Sequence, residues 1–234
     1  MVSNSIKLCT KGGNMKKIVV EWSGGADSTL ALLLTHKKYS KATIHPIYVD
    51  YGEKYNINEL EKANTLIRKW KWIQPLHIVI VNSLSLQRNF PTMPEYIPIR
   101  NLVLTSITCQ YANAIQATVV VSGSKGQVKI NSDPYSFFDS SIPFYTLLQA
   151  VVNYAQEEKQ KINIICPLAE NRRSYMEKTE VYKKLLEFGI QFDETWSCFK
   201  GDFYECKKCK NCVEKQKIKQ LLQNDPSYKP LFKE

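Results

Sequence analysis

The sequence predicts an α/β fold built on a doubly wound, parallel, five-stranded sheet, with a small four-cysteine zinc motif near the C-terminus. Short apolar runs alternate with segments of helical periodicity along the 234 residues, a pattern typical of a parallel sheet with helices on both faces. Polar, glycine-bearing strings follow several of these runs, at the sheet edge where ligands bind in such folds. Four cysteines between positions 198 and 212 have spacings typical of a metal site.

The apolar runs are predicted to be buried strands because each is short and ends at a polar or glycine-containing string. The first run stops at Ser23, the second at Asp50, and the fourth at Ser122-Gly123. These three points lie at carboxyl ends of strands, so a ligand site is expected where they converge. The predicted strands are residues 17–22, 43–49, 76–81, 117–121 and 162–166.

Helices are predicted where apolar residues recur at helical spacing between these strands. The predicted helices are residues 27–35, 58–70, 99–115, 143–159 and 175–188, the last closed by Gly189. Pro91, Pro94 and Pro98 interrupt regular structure before the third helix. The polar segment 124–141 is long enough to predict a functional loop.

Composition limits the classes of function. Charged residues make up 23% of the chain and hydrophobic residues 44%, which is ordinary for a globular protein. No apolar stretch approaches the roughly 20 residues of a membrane span, and residues 1–14 lack the apolar core of a secretion signal. We therefore expect a cytoplasmic protein without membrane contact. The net charge of +10 is attributed to a lysine-rich solvated surface, so nucleic acid is an unlikely partner.

The string Ser23-Gly24-Gly25-Ala26-Asp27-Ser28 lies between the first predicted strand and helix and predicts a phosphate-binding turn. The glycines allow backbone N–H groups to approach an anion, and the helix N-terminus adds partial positive charge. Asp27 fits this setting if it helps to hold a magnesium ion bridging the phosphates. An ordinary helix cap after a glycine turn is the competing interpretation. The string is not a Walker A loop, because no Gly-Lys-Ser/Thr follows it.

The cysteine cluster comprises Cys198, Cys206, Cys209 and Cys212, with two overlapping C-x-x-C steps. Four thiolates complete a tetrahedron around one zinc ion, and such a closed site is structural. An iron–sulfur cluster or redox-active thiols are the alternatives. The interspersed lysines would offset the negative charge of the site.

The phosphate turn resembles the signature of the N-type ATP pyrophosphatases, whose fold is adenine nucleotide alpha hydrolase-like. Further strings occur in order: Val49-Asp50-Tyr51-Gly52-Glu53, Ile99-Arg100-Asn101, Lys178-Thr179-Glu180 and Thr195-Trp196-Ser197-Cys198. With the cysteine tail they are similar to the 7-cyano-7-deazaguanine synthase family, over residues 17–217. The predicted domain organisation is an N-terminal extension at 1–14, an ATP pyrophosphatase domain at 15–190 and a zinc-binding segment at 191–234.

The resemblance implies an enzyme that uses ATP and Mg²⁺ to adenylate 7-carboxy-7-deazaguanine, amidates it with ammonia and dehydrates the amide to a nitrile. It implies catalytic roles for Asp27, Arg100 and Lys178, substrate contacts from Trp196 and Asp139, Zn²⁺ on the cysteines, and a homodimer. Phosphate and nucleotide contacts are expected from Ser23, Gly24, Gly25, Asp27, Ser28, Asp50 and Gly123.

One segment departs from that family. The family carries a Ser-Gly-Tyr-Pro-Asp-Cys-Arg string after the fourth strand, whereas here only Asp139 stands for its aspartate and the adjoining Cys and Arg are missing. A homologue in an antiphage system that joins the activated acyl group to a protein or another amine is therefore a second hypothesis. A tRNA-modifying enzyme is a third, supported mainly by the net charge of +10.

Overall fold

The computed structural model describes residues 15–81, 97, 99–126, 138–156, 160–169, 176–200 and 203–233. The predicted N-terminal extension, Pro91, Pro94, Pro98 and most of the 124–141 loop lie outside these residues. Within them no helix has the length and apolar character needed to cross a membrane.

A parallel sheet forms the centre of the fold, as predicted, with strand order β3-β2-β1-β4-β5. The strands in the described residues are β1 Lys17–Glu21, β2 Thr43–Asp50, β3 His77–Ile80, β4 Val119–Val121 and β5 Asn163–Ile165. The chain runs outward from β1 through β2 to β3, then returns to the other side of β1 for β4. The strand order therefore reverses between β1 and β4, and a crevice opens beyond their carboxyl ends.

Helices cover both faces of the sheet, which confirms the doubly wound prediction. The helices in the described residues are α1 Ala26–Lys38, α2 Asn56–Lys69, α3 Arg100–Ala114, α4 Ile142–Ala155, α5 Lys178–Glu187 and α6 Lys210–Asn224. One buried cluster joins β1 and β4 to α1, α2, α5 and α6, and a second joins the opposite face to α3 and α4. Alternation along β1 places Ile18 and Val20 in the first cluster and Val19 in the second.

Helix α6 was not predicted from the sequence. It begins inside the cysteine cluster and buries a narrow stripe that includes Ile218 and Leu222 against the first core cluster. Lysine and glutamine fill most of its other positions, so the apolar periodicity on which the other helices were predicted is weak here. This helix fastens the cysteine segment to the rest of the molecule.

Candidate active site

The cavity at the strand-order reversal measures about 360 Å³. Its wall includes every residue of the phosphate turn except Gly24, together with Gly123, Arg100, Lys178 and Trp196. Two of the three predicted strand-end positions, Ser23 and Gly123, thus meet in one cavity. Asp50 and Asp139 do not line the cavity.

The phosphate turn is held open by its own hydroxyls. Ser23 Oγ accepts a hydrogen bond from Gly25 N–H at 3.3 Å and lies 3.3 Å from Ser28 Oγ. Ser28 Oγ also donates to the Gly25 carbonyl at 3.2 Å. Helix α1 starts directly after Gly25, so its unpaired N–H groups face the same space, as in other anion-binding turns.

Two glycines at this turn are required by close packing. Gly24 has a φ of +76°, and a Cβ there would lie 2.5 Å from the Glu59 carbonyl oxygen. A Cβ at Gly123 would lie 2.7 Å from Ser28 Cα. Since backbone atoms cannot yield at such distances, any larger residue would displace the turn.

Asp27 and Lys178 form an ion pair across the cavity, with Lys178 Nζ donating to Asp27 Oδ2 at 2.8 Å. The two residues are the second residue of α1 and the first residue of α5. The other oxygen, Asp27 Oδ1, is buried and has no hydrogen-bond partner. A carboxylate oxygen in this state, beside a phosphate-binding turn, fits a magnesium ligand.

Arg100 is the first residue of α3 and lies against the ring of Tyr51, with its guanidinium carbon 6.0 Å from the ring centroid. The preceding residue, Ile99, has a φ of +65°, an uncommon conformation for a β-branched side chain. Asp139 accepts a hydrogen bond from Asn101 N–H at 3.3 Å. Asp139 therefore contacts the beginning of α3 and lies beside the arginine without lining the cavity itself.

Asp50 has a local role in the described geometry. Its two carboxylate oxygens accept hydrogen bonds from Gly52 N–H and from the side-chain amide of Asn56, each at 2.9 Å. These bonds close the loop between β2 and α2. The predicted nucleotide contact from Asp50 stays a prediction.

A buried acid cluster, which the sequence analysis missed, lies under the phosphate turn. The Tyr48 hydroxyl is 2.7 Å from Glu53 Oε1 and 3.1 Å from Glu59 Oε2. One phenol carries one hydrogen and can donate to only one carboxylate at a time. Burial and the charge of Glu53 raise the pKa of Glu59 well above its usual range. A protonated Glu59 that donates to the Tyr48 oxygen satisfies all three groups.

The cysteine cluster brings its four sulfur atoms within 4.8 Å of one another. Four sulfurs bound at about 2.3 Å around one tetrahedral ion stand about 3.8 Å apart, and Cys206 Sγ and Cys212 Sγ are 4.0 Å apart. The cluster therefore fits a single metal ion. Hydrogen bonds from the backbone N–H groups of Lys208 and of Cys209, the latter at 3.2 Å, lower the pKa of Cys206 to about 6, which favours its thiolate.

Trp196 connects the cysteine segment to the phosphate turn. Its backbone N–H donates to the Gly24 carbonyl at 3.1 Å, and its indole N–H donates to the Cys198 carbonyl at 2.7 Å. The ring is buried beside Tyr55 and Phe199 and lines the cavity. The structure thus gives Trp196 a packing role in addition to its place in the cavity wall.

Fold and site together define a member of the PP-loop superfamily, the group also called the N-type ATP pyrophosphatases. A parallel sheet has a first strand that ends in a Ser-Gly-Gly turn, and a four-cysteine cluster lies near the C-terminus. The sequence matches the family described as "Queuosine biosynthesis protein QueC" over residues 17–221. The chain belongs to this family.

Curated relatives carry the name 7-cyano-7-deazaguanine synthase. The protein from Prochlorococcus marinus strain MIT 9312 is 29% identical over 231 residues, covering 89% of this chain and 96% of its own. The protein from strain MIT 9301 is 30% identical over 217 residues, covering 84% and 90%. The Thermoplasma acidophilum protein is 25% identical over 216 residues, covering 85% of each. These relatives are synthases, so the present chain is an enzyme.

Solved structures of similar fold are more distant. A 4-thiouridine synthetase in complex with RNA and ATP is 18% identical, with a TM-score of 0.48, covering 92% of this chain and 52% of its own. The U34-tRNA thiolase NcsA from Methanococcus maripaludis, with its [4Fe-4S] cluster, is 18% identical, with a TM-score of 0.45, covering 93% and 70%. Likeness of this degree carries no conclusion about activity.

Proposed function

We propose that this protein is an ATP-dependent carbon–nitrogen ligase that makes 7-cyano-7-deazaguanine. It adenylates the carboxylate of 7-carboxy-7-deazaguanine, releases pyrophosphate, and transfers the acyl group from AMP to ammonia. A second activation then dehydrates the amide to the nitrile. The observation that carries the proposal is the cavity itself, where the phosphate turn, the Asp27–Lys178 pair and Arg100 meet in a chain of the QueC family.

The phosphates of ATP would bind to the turn through backbone N–H groups and the hydroxyls of Ser23 and Ser28. Asp27 Oδ1, buried and unpartnered, would hold Mg²⁺, which supplies positive charge to the phosphates. The turn already has its glycine conformations and its hydroxyl network in place, so little reorganisation precedes attack on the α-phosphate.

Lys178 and Arg100 supply the remaining positive charge. Lys178 approaches the turn from α5 and Arg100 from α3, so the two cations enter the cavity from opposite faces of the sheet. Charge developing on the α-phosphate during adenylation would lie between them. This placement suits electrostatic stabilisation of a transition state that needs no covalent contribution from the protein.

The deazaguanine ring would lie along the aromatic wall of the cavity, which comprises Tyr51, Tyr55, Trp196 and Phe199. Planar rings stack on aromatic faces, and base stacking of this kind contributes about 1–3 kcal/mol. We therefore propose that Trp196 contacts the substrate. Asp139 would act on the substrate through the start of α3, because its carboxylate binds Asn101 N–H.

The cysteine cluster would hold one structural Zn²⁺. Its four ligands leave no open position for catalysis. A four-iron cluster attaches each thiolate to a different iron atom, so it would spread the sulfurs more widely than the single-ion spacing seen here. A homodimer stays a prediction from the family resemblance.

A second candidate function is favoured by the missing Cys and Arg of the 124–141 loop. In this second candidate function, the protein adenylates the same acid but transfers the acyl group to an amine on a protein, as in an antiphage homologue. The two candidates share the same first half-reaction and differ only in the acceptor.

The proposal is tested by incubating the full chain with Mg-ATP and 7-carboxy-7-deazaguanine, with and without ammonium, and analysing products by mass spectrometry. We expect AMP and pyrophosphate to depend on the acid, and the amide and nitrile to depend on ammonium. AMP formation without amide or nitrile would favour the protein-conjugating candidate. Absence of acid-dependent AMP would contradict both.

A further inference from the structure

Glu21 is the last residue of the central strand β1, two residues before the phosphate turn. It lines the cavity, and its side chain follows Val19 onto the α3–α4 face of the sheet because alternate residues of a strand share a face. The aromatic wall lies against the cysteine segment, where Tyr55 and Phe199 pack with Cys198 and Cys212. Glu21 therefore lies on the α3–α4 side of the cavity, which is called the recess below.

Hydroxyl groups surround this carboxyl. Burial raises the pKa of Glu21, and the side chains of Thr105, Ser122 and Thr108 oppose that rise. Ser122 follows β4 in the register that pairs Val20 with Val121, so it lies beside Glu21. Within the described residues, Glu21 Oε1 and Thr105 Oγ1 are both buried without a hydrogen-bond partner.

Such an arrangement is costly unless a ligand completes it. A buried carboxyl oxygen without a hydrogen-bond partner loses hydration that no protein contact returns. No Lys or Arg in the described part of the chain forms a salt bridge with Glu21. A ligand that donates N–H or O–H groups to Glu21 Oε1 would supply the missing contact. The cavity wall includes the aliphatic Ile47, Val49 and Leu104, and the Tyr145 hydroxyl lies 2.9 Å from Ser122 Oγ, so this part of the cavity suits a small polar ligand.

We propose that Glu21 and the neighbouring hydroxyls form the ammonia-binding subsite of the cavity. The inference rests on the proposed function, which requires ammonia as a nucleophile. An ammonium ion has four N–H donors in a tetrahedron, and the recess presents Glu21 Oε1 and Thr105 Oγ1 as unpartnered acceptors. The site lies about 7 Å along the strand from Ser23, beside the phosphates of a bound acyl-adenylate.

The chemistry balances with Glu21 as a general base. An N–H bond of ammonium breaks, and its proton passes to the Glu21 carboxylate. The nitrogen lone pair then forms the C–N bond, and the C–O bond to the phosphate breaks, with AMP leaving as the anion. The adduct nitrogen loses one further proton to water, and the amide remains. A carboxyl with a raised pKa holds the transferred proton better than an ordinary glutamate would.

The test separates the two half-reactions in Glu21→Gln. Acid-dependent exchange between ATP and pyrophosphate requires adenylation but no ammonium, and we expect it to stay within about twofold of wild type. With ATP and acid saturating, the KM for ammonium should rise at least about tenfold, since a charge-assisted contact is lost. Hydroxylamine, a neutral nucleophile, should still trap the acyl group. Glu61→Gln, an exposed carboxyl on α2, is the matched control and should change neither measurement.

An unchanged KM for ammonium in Glu21→Gln would overturn the inference and leave the proposed function standing. A parallel loss of exchange and amide formation in a folded variant would also overturn it, since Glu21 would then serve the nucleotide or the deazaguanine ring. Should Glu21→Gln fail to fold, Thr105→Val decides: a raised KM for ammonium with normal exchange supports the subsite, and an unchanged KM refutes it. Absence of exchange in the wild type would refute the proposed function and the inference with it.

Discussion

The two carboxylate oxygens of Asp27 have different environments. Oδ2 accepts a hydrogen bond from Lys178 at 2.8 Å, while Oδ1 is buried and finds no donor or cation in the described residues. A purely structural ion pair would not need to bury the second oxygen without a partner. The geometry around Asp27 therefore suits a bound cation, with Lys178 fixing the orientation of the carboxylate.

Asp27→Asn should lower acid-dependent AMP formation at least about 100-fold, because the amide removes the charge that would hold the metal and orient Lys178. The free energy of unfolding should change by no more than about 1 kcal/mol, since the ion pair is partly solvent-exposed. Chromatographic measurement of AMP and thermal unfolding provide the two readouts. Asp193→Asn, on an exposed turn, is the control, and near-normal AMP release in Asp27→Asn would refute the assignment.

Helix α6 secures the cysteine segment through one buried lysine. Lys215 Nζ donates to the Thr195 carbonyl at 2.9 Å and to Glu205 Oε1 at 2.7 Å. The same Glu205 oxygen accepts hydrogen bonds from the backbone and side chain of Ser197. The element thus joins the segments on both sides of Trp196 to the core, independently of any metal.

Lys215→Met should reduce the free energy of unfolding by about 2–3 kcal/mol, because it removes the positive charge paired with Glu205 and the Nζ donor to the Thr195 carbonyl in a largely buried position. Chemical denaturation followed by fluorescence would measure it. Lys217→Met, an exposed residue of the same helix, should change stability by less than about 0.5 kcal/mol. Equal effects from the two substitutions would mean that the buried network contributes nothing.

The acid cluster under the phosphate turn makes the stability of the whole protein depend on pH. The pKa of Glu59 is raised in the folded state by burial and by Glu53. The folded protein therefore binds more protons than the unfolded chain above about pH 4.5, and stability falls as pH rises toward the elevated pKa. Stability is lost because Glu59 must then ionise beside Glu53 and Tyr48.

Glu59→Gln removes the titration while keeping an amide that can donate to Tyr48. The Tm of Glu59→Gln minus the Tm of wild type should therefore increase by about 3 °C or more between about pH 5 and pH 9. Thermal unfolding of both proteins across that range, in matched ionic strength, gives the difference directly. A difference that stays flat, or that narrows toward high pH, would contradict a protonated Glu59.

Local patterns predicted most of the fold and the phosphate turn. An apolar run such as that of β1 indicates a buried strand without reference to any other segment. The glycines and hydroxyls of the Ser23–Ser28 string determine the shape of the turn through contacts within the string. Helix α6 was missed because few of its residues are apolar. The Tyr48–Glu53–Glu59 cluster was missed because its contacts join a strand, a loop and a helix. Glu21 gave a usable signal, a carboxylate inside the apolar run Lys17–Glu21, which only the surrounding hydroxyls explain.

The hydrogen bond from Trp196 to the Gly24 carbonyl has a consequence for synthesis on the ribosome. Chains emerge N-terminus first, so the strands and the phosphate turn leave the exit tunnel well before Trp196 and the cysteines follow. Until then the turn lacks its neighbouring backbone, and the cavity lacks one wall. The nucleotide site that we propose is therefore complete only once Trp196 and the segment that carries it have been synthesised.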